Sequence, residues 1–113
     1  VTGSTDGIGL TTAKHLAAKG INVLIHGRDE NRIQAAVKTV RSFQKDRSAS
    51  TSEIIALPAR DISSVVGCEK LASDVRATCE KNNLKLQILM NNAGVYSEDL
   101  VITPDGLELT LAV

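Results

Sequence analysis

Apolar positions along this 113-residue chain follow two rhythms. From Ile8 to Lys19 they recur at three- and four-residue steps. Ile8, Thr12, Ala13, Leu16 and Ala17 then share one helical face, and Gly20 ends the run. The next stretch, "INVLIHG" at 21–27, is short, β-rich and nearly free of charge. It suits a strand buried on both faces. The helical step returns in "RDENRIQAAVKTVRSFQKD", where Ile33, Ala36, Val37, Val40 and Phe43 form an apolar stripe and Asp29 can cap the start. "RSASTS" is small and polar, so it predicts a loop.

"EIIALPA" at 53–59 predicts another strand; Pro58 near its end has no N–H, which an edge strand tolerates. "RDISS" turns the chain, and Ser63 or Ser64 caps a helix through about Glu80. That helix should turn Val65, Leu71, Val75 and Cys79 inward. "NN" ends it, and "LKLQILMNNAG" reads as a strand running into a turn at Asn91 to Gly94. "YSEDLVI" is loop. Thr103-Pro104 predicts a last helix, with Thr as cap and Pro at the first position, running to Val113.

Helices alternate with strands, which predicts an α/β fold with a parallel sheet and right-handed crossovers. The pattern contains no internal repeat, low-complexity tract or linker. The length suits one small domain, and an apolar share of 42% is enough for a packed core. Thirteen basic residues balance thirteen acidic ones, which argues against a nucleic-acid or membrane-surface partner. Phe43 and Tyr96 are the only aromatics of their kind, with no Trp, so a base-stacking platform is not expected. Cys68 and Cys79 sit eleven positions apart on one expected helix, roughly 16 Å along its axis. A disulfide cannot span that distance. They read as small buried residues in a reducing compartment such as the cytoplasm. No His, Cys and Asp cluster has metal spacing, so no metal is expected. His15 reads as a helix-surface residue. His26, near the end of the strand at 21–27, reads as partly buried without a role, with contact to a pocket at that strand end as the alternative.

Chemistry enters with the opening, "VTGSTDGIG". A glycine-rich turn ahead of a helix brings unpaired N–H groups and the positive end of the helix dipole to one place, which suits a phosphate. The spacing Gly3-x-x-x-Gly7-x-Gly9 is neither the common G-x-G-x-x-G fingerprint nor a P-loop. Taken alone, it is equally an ordinary tight turn. Three further features stand at strand ends. Arg28 follows the strand at 21–27, where a carboxylate would favour a ribose 2′-OH and an arginine accommodates a 2′-phosphate. Arg28 as a solvated loop charge is the alternative, and Asp29 complicates the reading. Asp61 follows the strand at 53–59 and could meet an adenine amino group. "NNAG" ends the strand at 84–94. Open parallel sheets bind ligands on that side.

"TGSTDGIG", Asp61 and "NNAG", in that order and spacing, resemble the markers of the short-chain dehydrogenase/reductase family along essentially the whole chain. "TPDGLELTLAV" is similar to a segment of retinol-dehydrogenase-like members. The resemblance implies a Rossmann-like doubly wound parallel sheet over residues 1–113. It implies that Gly3, Thr5, Gly7 and Ile8 line a pyrophosphate and ribose, and that Gly9 allows close helix–strand packing. Arg28 would hold a 2′-phosphate, Asp61 and Ile62 would flank the adenine, and Asn92, Ala93 and Gly94 would border the ribose and nicotinamide side. Asn91 would tie central strands together. NADP(H) is the preferred cofactor and NAD(H) the alternative; Ser4, Thr5 and Asp6 put no basic residue in the turn, so the preference rests on Arg28 alone.

The implied activity is hydride transfer between an alcohol and a carbonyl, with a small-molecule, lipophilic substrate and no nucleic acid partner. Homo-oligomerisation of the full-length protein stays open. The family's Tyr and the Lys four residues on cannot be placed: Tyr96 is the sole tyrosine and Leu100 stands where the Lys belongs. Tyr96 therefore reads as a loop residue near the cofactor rim, and no catalytic residue is assigned. The expectation is a fragment, with the first strand reduced to Val1 and the catalytic half beyond Val113, poorly stable and inactive alone. A dinucleotide-binding sensor without redox chemistry is the competing reading. A flavodoxin-like signalling domain is disfavoured, since it needs no NNAG.

Overall fold

The computed structural model describes residues 1–47 and 52–113. The core of the loop expected at 47–52 thus lies outside the described residues. Helix α1 runs Gly7–Ala18, strand β1 Val23–Ile25 and helix α2 Glu30–Arg47. Strand β2 follows at Ile54–Ala56, helix α3 at Val65–Lys81 and a single helical turn, α4, at Leu109–Ala112.

β1 and β2 pair in parallel, with Val23 opposite Ile54 and Ile25 opposite Ala56. The pairing continues past both ends: Val23 N–H donates to Glu53 O at 2.8 Å and Leu57 N–H to Ile25 O at 3.0 Å. The chain reaches β2 only by crossing through α2, as a parallel pair requires. The expected stripe does the packing. Ile33, Ala36, Val37 and Val40 of α2 join Ala13 and Ala17 of α1, Val23 and Ile25 of β1, and Ile54 of β2 in one buried cluster. Asp29 caps α2 as expected, accepting the Arg32 N–H at 2.8 Å.

Val1–Ser4 lies on the other side of β1. Val1 N donates to Leu24 O at 3.3 Å and Ser4 N–H to His26 O at 2.9 Å. On its far side Thr2 N–H donates to Met90 O at 3.0 Å. The lateral order is therefore β2, β1, residues 1–4, then the stretch ending at Met90. This is the 3-2-1-4 order of a Rossmann-like sheet.

Four expectations need correction. The stretch expected as a strand at 84–91 forms no ladder: Leu86, Ile88 and Leu89 are exposed, and it meets the rest of the sheet through Thr2. A strand is a pairing relation, and one neighbouring bond does not make one. Residues 103–106 form a tight turn and not a helix start. Gly106 N–H donates to Thr103 O at 2.9 Å, Thr103 N–H to Leu107 O at 2.8 Å, and Ile102 bridges Glu108 antiparallel. Pro at the second turn position and Gly106 at φ +78° suit a β-turn as well as Thr-Pro suits a helix cap. Glu108 caps α4 instead, holding the Thr110 and Leu111 amides.

The third correction concerns α3, which buries no residue fully; Val65 is exposed and Leu71, Val75 and Cys79 are half-buried. Its Ser64 cap holds, with Oγ accepting the Gly67 N–H at 3.2 Å. Fourth, Cys68 is exposed and only Cys79 is partly covered. His15 is on the surface as expected, edge-on to Phe43 with ring centroids 5.5 Å apart.

Candidate functional site

A cavity of about 500 Å³ opens where β1 and β2 end and α1 begins. Gly3, Thr5, Gly7, Ile8, Gly9, Arg28, Asp61, Ile62, Asn92, Ala93 and Gly94 all line it. Four separate segments thus converge on one hollow, though no ladder orders the last of them.

The glycine turn is shaped by contact with the NNAG turn. Gly3 has φ +62°, and a Cβ on it would lie 2.9 Å from Ala93 Cα. A Cβ on buried Gly9 would strike the Gly3 carbonyl and lie 2.5 Å from Asn92 Nδ2. Gly7, at φ +52°, faces open space and serves conformation alone. Asp6 caps α1, its carboxylate accepting the Gly7 N–H at 2.7 Å. The helix leaves the other amides of its first turn without carbonyl partners of its own. Ile8 was expected on the core-facing stripe of α1 as well as at the site. It is 80% exposed, so it belongs to the cavity mouth and not to the core.

Side chains fasten the two turns together. The hydroxyl of Thr2, a residue only 8% exposed, accepts the Asn92 and Ala93 amides at 3.0 Å each. Asn92 Nδ2 donates back to Thr2 O at 2.9 Å and Gly3 O at 3.3 Å. The tie expected of Asn91 is therefore made by Asn92, and Asn91 is exposed. His26 is 4% exposed. Its Nδ1 accepts the Gly3 N–H at 3.2 Å, and its Nε2 lies 3.1 Å from Arg60 O. Nε2 therefore carries the proton. Burial outweighs the Arg60 bond and holds the imidazole pKa below its ordinary value, so the ring is neutral.

Charge is distributed along the rim. Arg28 is exposed and makes no hydrogen bond or ion pair among the described residues. Asp61 accepts the Ser63 N–H at 2.9 Å; bonds from Ser63, and next the Arg28 charge, keep its carboxyl below the usual carboxylate range. Arg60 turns away to Asp74 of α3 at 2.7 Å. Arg32 reaches Asp6 at 3.0 Å, joining the start of α2 to the glycine turn. Sequence reasoning did not single out Thr2, Asp6 or Arg32 for the site. Asp6 carried a readable signal, an acid just before a helical run. Thr2 and Arg32 act across distances that periodicity does not report. Tyr96 is 83% exposed and does not line the cavity. Among the described residues no group of three or more His, Cys, Asp or Glu could hold a metal ion.

The family model described as short chain dehydrogenase matches residues 1–107. The chain belongs to that family. A curated short chain dehydrogenase/reductase, dpchH of Colletotrichum higginsianum, is 39% identical over 113 residues, covering all of this chain and 26% of the relative. Human retinol dehydrogenase 13 is 30% identical over 113 residues, again all of this chain and 31% of that protein. The chain thus spans between about a quarter and a third of the curated relatives it matches. A metagenomic short-chain oxidoreductase solved in complex with NADP superposes with a TM-score of 0.66 at 27% identity, over 84% of this chain and 38% of that one. The short-chain dehydrogenase fold accounts for why the glycine turn, Arg28, Asp61 and NNAG converge: each stands at the end of a sheet segment, on one edge.

Proposed function

We propose that this chain is the dinucleotide-binding part of an oxidoreductase that interconverts an alcohol and a carbonyl, with NADP(H) preferred over NAD(H). The observation that carries the reading is the cavity where first-turn amides of α1, the unpaired Arg28 and the ionised Asp61 meet. The donor set fits a dinucleotide with an extra phosphate: amides for a pyrophosphate, a free guanidinium for a 2′-phosphate, a carboxylate for an adenine amino group. When bound, the nicotinamide accepts or delivers hydride. The chain's own residues bind and orient. Gly3, Thr5, Gly7 and Ile8 border the pyrophosphate and ribose, and Gly9 keeps α1 close to the NNAG turn. Asp61 and Ile62 flank the adenine, while Asn92, Ala93 and Gly94 border the nicotinamide side. No residue of this chain is assigned to proton transfer. The likeness to a retinol dehydrogenase supports a lipophilic alcohol or ketone as substrate.

Calorimetric titration of the full-length protein with NADPH and NADH tests both levels. Arg28→Ala should weaken NADPH about 10- to 100-fold, the size of a charge-assisted bond, and leave NADH unchanged. Failure to bind either dinucleotide overturns the site. Equal affinities in wild type, unmoved by Arg28→Ala, overturn the NADP preference alone.

A further inference from the structure

We infer that His26 is a positioning residue for the dinucleotide: its neutral imidazole holds the Gly3 amide and so fixes the direction of the glycine turn. The inference rests on the binding reading above and adds a residue to it. The ring is wedged between two loops that line the cavity. One nitrogen receives the Gly3 N–H at 3.2 Å, and the other donates to Arg60 O at 3.1 Å, one residue before Asp61. The backbone is tied at the same place. His26 N–H donates to the Ser4 hydroxyl at 2.9 Å, and Ser4 N–H returns to His26 O at 2.9 Å. Gly3 is then held from both sides, by His26 at its N–H and by Asn92 at its carbonyl.

Gly3 stands at φ +62° and is half-buried, so its amide has no cheap alternative orientation. A protonated ring would present N–H at both nitrogens and repel that amide. Protonation is opposed by burial. The charged groups around the cavity are Asp6, Arg28, Asp29, Arg32, Arg60 and Asp61. Arg60 and Arg32 are paired with Asp74 and Asp6, the Arg28 charge acts on Asp61, and the Asp29 carboxylate is engaged at the start of α2, where it accepts the Arg32 N–H at 2.8 Å.

Two amide variants separate the two ring bonds. The Asn oxygen falls near the Nδ1 position and can receive the Gly3 N–H. The Gln amide falls near Nε2 and can reach Arg60 O but not Gly3. The experiment is titration of the full-length protein with NADP⁺ at pH ~7.5, on wild type, His26→Asn and His26→Gln, with melting temperatures recorded beside each affinity. His26→Asn should stay within about threefold of wild type, and His26→Gln should bind about tenfold more weakly, the size of one hydrogen bond. As the pH falls below ~6.5, wild type should weaken relative to His26→Asn; that ratio cancels the titration of the ligand's own phosphate. Equal affinities for Asn and Gln, or parallel pH profiles for wild type and Asn, overturn the inference while leaving the site intact. Absence of NADP⁺ binding by wild type overturns the site and the inference together. If His26→Gln fails to fold, the comparison of wild type with His26→Asn across pH decides alone.

Discussion

Removing the Thr2 hydroxyl while keeping the side chain's shape isolates the bond that joins the glycine turn to the NNAG turn. In Thr2→Val the two acceptances, from the Asn92 and Ala93 amides at 3.0 Å, are lost together with the hydroxyl's longer donation to Met90 O at 3.4 Å. Each such bond contributes about 1 kcal/mol net, and a buried donor left unpaired costs about 1–3 kcal/mol. Thr2 itself is buried, but Asn92 and Ala93 are only half-buried, so water can reach part of what is freed. The expected loss is about 2–4 kcal/mol. Thr2→Ser supplies the contrast: it keeps the oxygen and deletes one methyl group, a loss of about 1 kcal/mol. Urea unfolding of the full-length protein reads the difference as a shift in midpoint at unchanged slope. Dinucleotide affinity should fall with Thr2→Val and hold with Thr2→Ser, since only the first removes the oxygen that accepts the NNAG amides, leaving that turn held by Asn92 Nδ2 alone. A serine variant less stable than the valine variant would refute the reasoning, because methyl packing and not the hydroxyl would then be the fastening.

Gly9→Ala should destabilise by about 1–3 kcal/mol, since its added Cβ meets backbone at Gly3 that cannot rotate away; an unchanged urea midpoint counts against the close approach. Asp6→Asn should change stability by less than about 1 kcal/mol, because its bridge to Arg32 is exposed and the amide oxygen can still cap Gly7; a larger shift in melting temperature would show the bridge to matter more than solvent screening allows. Asp105→Ala should speed hydrogen exchange at the Val65 amide, which the Asp105 carboxylate holds at 2.6 Å, and leave α2 amides unchanged. The His26 pKa lies below its ordinary value of 6.5, so the unfolded chain takes up the proton first. Its stabilising contribution is complete above pH ~6.5 and is lost as pH falls through the folded value. His26→Asn, compared with wild type in urea at pH ~7.5 and ~5.5, should show a smaller loss; equal losses refute the assignment.

Much of the fold is written in local periodicity. The stripe Ile33, Ala36, Val37 and Val40 marks α2 and, with Ala13 and Ala17, the core it enters. The site was legible because its markers are glycines, a carboxylate and an arginine placed after strands, and the sheet carries strand ends to one edge. What escaped depends on partners far along the chain. Residues 84–91 have strand composition, but composition supplies no neighbour. Thr103-Pro104 satisfies two local grammars, and Gly106 three residues on selects the turn. Adjacent asparagines differ only in which side of the chain meets Thr2, and spacing does not resolve that. His26 could be placed near the site, yet its two bonds reach across 23 and 34 residues.

The clamp on Gly3 has a thermodynamic consequence. Side chains on either side, His26 and Asn92, freeze this peptide before any ligand arrives. Its rotational freedom is therefore surrendered when the polypeptide folds, so association with a phosphate group need not spend favourable enthalpy on stiffening the loop.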